Sequence, residues 1–169
     1  DSGTGEGGPA GAPREAGALD PAGSLLPPGA EARVAFERRG SGIIVPVVVE
    51  GPRGREAVKM LFDTGATLTT LDSATLLRLG ARPEASAPTI RTHTANGTVR
   101  RPVTVVDGVE LGGVAVGGGL TVSVCDPCAS GEVSGLLGLN VSRHFRVTVD
   151  HEAGELLLRP KDPPVGHLY

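Results

Sequence analysis

Met60-Leu61-Phe62-Asp63-Thr64-Gly65-Ala66 carries an apolar strand directly onto a carboxylate. The residues before it supply the rest of a hairpin. Ile43-Ile44-Val45-Pro46-Val47-Val48-Val49 is a β-branched run, Gly51-Pro52-Arg53-Gly54 is a turn, and Val58-Lys59-Met60-Leu61-Phe62 returns. Pro46 cannot donate to a ladder and predicts an edge or a bulge. After the carboxylate, Gly65 allows a tight turn and lets backbone N–H groups approach Asp63. The Thr64 hydroxyl can tie this loop to a facing one. The same triplet also suits a turn Asp in an Asx-type turn or a helix cap. Asp72 then caps a short helix that carries Ala74, Leu76, Leu77 and Leu79 and stops at Gly80.

The remainder reads as strand and turn. Val34 and Phe36 alternate with Arg33, Ala35 and Glu37 in a short first strand, and Gly40-Ser41-Gly42 turns the chain. Asn96-Gly97 between polar runs marks a hairpin. Val103–Val106, Val109–Leu111 and Leu120–Val124 are three further strands, broken by Gly112-Gly113 and Gly117-Gly118-Gly119. Asn140 opens a helical turn, and Arg146–Asp150 with Glu155–Arg159 form a last hairpin about His151-Glu152-Ala153-Gly154. Short strands with turns about every 8–12 residues predict an all-β sandwich or barrel with one or two short helices. A faint echo runs through it. Strand, turn, strand, loop and helix occur around Asp63 and again around Gly138.

At 169 residues the chain predicts one domain. Aromatic side chains are limited to Phe36, Phe62, Phe145 and Tyr169, so the core must come from Val, Leu and Ile, a mixture that argues against an α-bundle. The net charge of -3 argues against a nucleic-acid binder, which usually presents a basic face. No apolar run approaches the ~20 residues of a membrane-spanning helix. Residues 1–30 hold 8 Gly, 5 Pro and 6 Ala, and read as a flexible tether or leader that cannot offset its own ordering entropy. A pro-segment or a boundary segment is the other reading. The folded domain is expected over 33–160, with 161–169 as a C-terminal tail.

The pair Met60–Ala66 and Gly135-Leu136-Leu137-Gly138-Leu139-Asn140 resembles the retropepsin-like aspartic proteases, the group that includes retroviral proteases and many small bacterial members. The motifs stand in the right order, about 70 residues apart, with a Gly-bearing hairpin between them. The resemblance covers residues 33–160 and implies a small retropepsin-like acid-protease barrel. It implies that Asp63 is the catalytic aspartate and that Thr64, Gly65 and Ala66 support its loop. Leu136, Leu137, Gly138 and Asn140 form the second motif, whose backbone crosses that loop. Thr94, Ala95, Asn96 and Gly97 take the place of the flap that closes over substrate, and an ordinary surface hairpin is the alternative there. The chemistry implied needs two carboxylates about 3 Å apart sharing one proton, and no metal or organic cofactor. This chain has one Asp-Thr-Gly, and the place near Gly135–Gly138 has no Asp. Asp63 is therefore expected to meet Asp63 of a second copy in a homodimer acting on a peptide or protein substrate. Ala66 stands where many acid proteases carry a hydroxyl residue. Without that donor to a carboxylate, the activity optimum should lie nearer neutral pH than in an Ala66→Ser variant of the same chain.

Other signals point elsewhere or nowhere. Cys125-Asp126-Pro127-Cys128 reads as a redox pair, half a metal site or a local disulfide, and its setting between a strand and a Gly-rich loop favours the disulfide, with free thiols next. His93, His144, His151 and His167 lack ligand spacing. Neither glycine cluster is followed by Lys-Ser or Lys-Thr, so neither reads as a phosphate loop. The leader and the expected disulfide point to an exported bacterial protein, periplasmic or tethered to a membrane. A non-catalytic peptide-binding or scaffold domain on the same fold is the competing function.

Overall fold

The computed structural model describes residues 23–24, 26–27, 29–94, 97–129 and 132–161. Residues 1–22 of the expected leader, Ala95 and Asn96 of the expected flap, and residues 162–169 of the expected tail lie outside the described residues. In chain order the elements are β1 Gly23–Ser24, β2 Ala32–Ala35, β3 Glu37–Arg39, β4 Gly42–Gly51, β5 Gly54–Phe62, β6 Thr69–Leu71 and α1 Ser73–Leu79. They continue with β7 Thr89–Thr94, β8 Gly97–Leu111, β9 Val114–Val124, β10 Gly135–Leu137, α2 Leu139–Ser142, β11 Phe145–Asp150 and β12 Glu155–Pro160. The expected all-β fold with two short helices is what forms.

The hairpin leading to Asp63 pairs antiparallel from Ile44↔Leu61 to Gly51↔Gly54. Alternation turns Val45, Val47 and Val49 into the core and leaves Pro46 and Glu50 exposed. On its other edge β4 meets β3 up to Ile44 and β8 from Val48 onward. Pro46 falls in the gap between these two partners, where that edge has no strand partner among the described residues. The chain at β4, β5, β10, β6, β9 and β8 closes on itself, because β8 pairs with β9 as well as with β4. A barrel of this kind buries one continuous apolar interior, here Val45, Val47, Val49, Met60, Leu71, Leu76, Val106, Leu120, Val122 and Leu137. Beside it, β11, β12 and β2 form a second small sheet that buries Leu156 and Leu158.

Helix α1 begins and ends as its sequence dictates. The Asp72 carboxylate accepts the Thr75 N–H at 2.8 Å, and Gly80 closes the helix in the left-handed region at φ 75°. Two glycine expectations are corrected. Residues 103–106 and 109–111 belong to the single strand β8, and Gly117-Gly118-Gly119 lies inside β9 as a bulge, with the register shifting between Gly117 and Leu120. The reason is packing across the pair. At Gly108 a Cβ would come within 2.6 Å of the Val116 carbonyl, so glycine there permits close approach rather than ending a strand. The bulge adds the local twist that barrel closure needs. A third difference lies near the leader. Gly23–Ser24 pairs with Val116 and Gly117, so the sheet takes in two residues assigned to the tether.

Candidate active site

Asp63 follows the last residue of β5, and its surroundings are built by two short strands that cross. β10 runs parallel to β5, pairing Gly135↔Met60, Leu136↔Leu61 and Leu137↔Phe62, and antiparallel to β6. The Asp63 N–H extends this ladder by donating to the Leu137 carbonyl at 3.0 Å. The half-buried Asp63 carboxylate accepts the Gly65 N–H on Oδ1 at 2.9 Å, and the Ala66 N–H donates to the Asp63 carbonyl at 3.3 Å. Among the described residues no hydrogen bond reaches the other carboxylate oxygen or the exposed Thr64 hydroxyl. The Asx-type turn and the carboxylate-bearing loop are thus one structure: the turn bond fixes one oxygen and leaves the second open.

The second motif holds this loop from behind. Leu139 N–H donates to the Ala66 carbonyl at 2.8 Å and Asn140 N–H to the Thr67 carbonyl at 3.2 Å. Gly138 lies so close that a Cβ would sit 2.6 Å from the Leu68 carbonyl group. Its N–H donates to the buried Thr69 hydroxyl at 3.1 Å. The structure therefore brings Asp63, Thr64, Gly65, Ala66, Leu136, Leu137, Gly138 and Asn140 into one crossing. Asn140 departs from its expected place. The cap position of α2 is Gly138, and Asn140 is a buried residue inside the helix. Its side chain accepts from Thr69 N–H at 2.9 Å and from the Thr69 hydroxyl at 2.8 Å, and donates to the Thr121 carbonyl at 2.8 Å. A buried amide is drawn inward because three polar groups of the barrel need it.

The two halves of the barrel repeat this arrangement. β6 runs parallel to β9 with Val124↔Leu71, as β10 runs parallel to β5. Cys125, the residue after β9, donates its N–H to the Leu71 carbonyl at 3.0 Å, matching the bond from Asp63 to Leu137. The barrel thus has an internal symmetry, but it corrects the expected correspondence: Cys125, not the stretch near Gly135–Gly138, occupies the place of Asp63 in the second half, and Gly138 matches Asp72 as the cap of the following helix. Cys125 and Cys128 are joined in a disulfide.

The flap region is a hairpin of β7 and β8, with Thr94 paired to Gly97. Gly97, at φ 121°, is first in the returning strand, and the expected turn residues Ala95 and Asn96 lie outside the described residues. A feature absent from the sequence reading is a cavity of about 440 Å³ lined by Arg39, Ile44, Leu61, Ala129, Glu132 and Val133, among others. Leu61 lies two residues before Asp63 and was the one available signal for it. Among the described residues no helix is long and apolar enough to cross a membrane.

Residues 45–141 match the sequence model of the family described as Aspartyl protease, and the chain belongs to that family. A crystal structure of a retropepsin-like aspartic protease from Rickettsia conorii matches the fold with a TM-score of 0.55 at 20% identity, over 81% of this chain and 93% of that one. At that identity the likeness concerns architecture, and it identifies the barrel as the retropepsin-like fold. No curated protein matches the sequence.

Proposed function

We propose that this chain is one subunit of a homodimeric aspartic endopeptidase, with Asp63 of each subunit supplying one carboxylate. The observation that carries the proposal is the presentation of Asp63: one oxygen held by the Gly65 N–H, the other open, on a loop braced by a second crossing strand. The chain's own symmetry supports the dimer, since the matching place in its second half holds a disulfide cysteine. In this reading two Asp63 carboxylates close to one another share a proton, because like charges so near cannot both ionise. The ionised member takes a proton from a water molecule, and the water oxygen attacks the scissile carbonyl carbon. The protonated member gives its proton to the carbonyl oxygen, forming a neutral gem-diol. That intermediate collapses as a proton passes to the amide nitrogen and the C–N bond breaks.

Thr64, exposed and without an intrachain partner among the described residues, is suited to bond across the two-fold axis to the facing loop. Gly65 and Ala66 shape the turn. Thr94, Ala95, Asn96 and Gly97 are assigned to the flap, and Leu136, Leu137, Gly138 and Asn140 to the support of the catalytic loop. The experiment is cleavage of a peptide library by the wild-type chain and by Asp63→Asn. The substitution should lower turnover by about 10²–10⁴-fold. Equal cleavage by both would remove Asp63 from the mechanism, and binding without cleavage by either would favour a peptide-binding scaffold. The leader and disulfide support export from a bacterial cell, which localisation of a tagged full-length chain would test.

A further inference from the structure

The cavity beside the Asp63 strand has a wall that packs against the Cys125–Cys128 disulfide. Cys125 and Cys128 are both buried and pack with Ile44, Val133 and Leu61 in a small apolar cluster separate from the barrel core. The same Ile44, Leu61 and Val133 face the cavity, which Ala129 and Glu132 complete on the loop side. The connection from β9 to β10 that carries this wall is anchored at both ends. Cys125 N–H donates to the Leu71 carbonyl at 3.0 Å, and Ser134 N–H to the Lys59 carbonyl at 2.9 Å. Between the cysteines, Asp126 accepts from Ser73 N–H at 3.1 Å and from the Ser73 hydroxyl at 2.7 Å, tying the loop to the start of α1. Glu132 pairs with Arg39 of β3 across the mouth. An exposed ion pair of this kind contributes little by itself, so it does not fix the wall. At Cys128 the chain is within 4.9 Å, Cα to Cα, of Cys125, and the disulfide joins the two.

We propose that the Cys125–Cys128 disulfide is a positioning element for substrate: it holds Ala129, Glu132 and Val133 against Ile44 and Leu61 as an apolar receptacle for a large aliphatic or aromatic substrate side chain beside the Asp63 pair. The inference rests on the endopeptidase reading and concerns binding, not bond cleavage. Asp63 itself bonds to Gly65 and Leu137, and the second motif meets a cysteine indirectly, at the Thr70 hydroxyl that accepts the Leu136 N–H at 3.2 Å and lies 3.2 Å from Cys125 Sγ. Loss of the crosslink therefore weakens recognition of the large side chain and leaves the chemical step in place. The perturbing reaction is exchange with a dithiol reductant. One reductant thiolate attacks a protein sulfur to give a mixed disulfide, its second thiol displaces that sulfur, and two electrons and two protons pass to Cys125 and Cys128 while the reductant closes to a cyclic disulfide.

The experiment compares the oxidised full-length enzyme, the dithiothreitol-reduced enzyme with both thiols verified by alkylation and mass, and the double variant Cys125→Ser, Cys128→Ser. Each is assayed on a peptide with Leu or Phe at the cleaved bond and on the same peptide with Ala there. Reduction should raise KM for the large-side-chain peptide by about tenfold, the scale of losing one apolar side-chain pocket, with kcat within about twofold and the Ala peptide little changed. The double variant should match the reduced enzyme and ignore the reductant. If it does not fold, the reduced wild type, restored by reoxidation, carries the comparison. Unchanged KM in fully reduced enzyme overturns the proposal, as does an equal loss on both peptides. Should the oxidised enzyme cleave nothing, the endopeptidase reading fails, and the receptacle is judged by fluorescence polarisation of the two intact labelled peptides. About tenfold weaker binding of the Leu or Phe peptide on reduction then supports it, and equal binding overturns it.

Discussion

Replacing Asn140 by Ala removes the side chain that ties α2 to the loop behind Asp63, and the cost can be worked from its partners. Asn140 and Thr69 are 6% and 0% exposed, so neither site is open to bulk water. The truncation leaves the Thr69 N–H and the Thr69 hydroxyl hydrogen buried without acceptors, after bonds of 2.9 and 2.8 Å. Each stranded buried donor costs about 1–3 kcal/mol. The Thr121 carbonyl loses a third bond of 2.8 Å, but Thr121 itself is exposed, so its loss is the smallest. The total is about 3–4 kcal/mol, a large part of the roughly 5–15 kcal/mol by which a domain is stable. Urea unfolding followed by circular dichroism at one fixed protein concentration reads this directly. With a slope of about 2 kcal/mol/M the midpoint should fall by about 1.5–2 M. Thr69→Val in a double-mutant cycle should show coupling of about 1 kcal/mol or more with Asn140→Ala. A midpoint shift under about 0.5 M at unchanged slope would show that the amide carries no such load.

Gly135→Ala should cost about 3 kcal/mol or prevent folding, because the new Cβ would lie 2.0 Å from the Thr70 carbonyl that the β6–β10 crossing holds fixed. Gly117→Ala is its control: the nearest atom is 3.7 Å away, and melting temperatures should differ little from wild type. Glu37 is held below its ordinary 4.5 by Lys59, through a hydrogen bond and charge, and then by Arg39. A depressed folded value stabilises above the unfolded one, so the advantage of wild type over Glu37→Gln should be full above about pH 4.5 and vanish as pH falls through the lower folded value. Melting curves across that range test the sign, and a small amplitude is expected for so exposed a group. Finally, if subunits exchange, an equal mixture of wild type with Asp63→Asn should retain only about a quarter of the total activity expected if every subunit were wild type, since only pairs of wild-type subunits hold two carboxylates. Retention of half would mean that each subunit works alone.

What the sequence disclosed about this fold follows the range of the interactions involved. The hairpin into Asp63, the Asp72 cap and the Gly80 stop rest on neighbours within a few residues, and all three form as read. Whether a glycine ends a strand depends instead on the strand beside it. Gly117-Gly118-Gly119 looks like a break in isolation and becomes a bulge only with β8 alongside, where Gly108, paired with Gly117, lets the Val116 carbonyl come close. Asn140 was visible as part of a motif, but its partners Thr69 and Thr121 lie 71 and 19 residues away. No local pattern assigns a buried amide to them. The cavity was hidden for the same reason, its wall being drawn from the β3–β4 turn, β5 and the disulfide loop.

The internal symmetry gives the single Asp-Thr-Gly its meaning. Each half of the barrel ends a long strand on a residue whose N–H bonds the short strand of the other half, Asp63 to Leu137 and Cys125 to Leu71. Were the second residue also a carboxylate, the question would still be one of distance, since both ends belong to one barrel and their strands are fixed by the ladders between them. With cysteine there, bonded to Cys128, the chain has spent that position on shaping a loop. The open Asp63 oxygen, and a Thr64 hydroxyl without a partner among the described residues, then sit at the crossing to which the proposed function assigns acid–base chemistry. In the proposed dimer the second such crossing comes from another copy, across a two-fold axis beside Asp63 that places like against like.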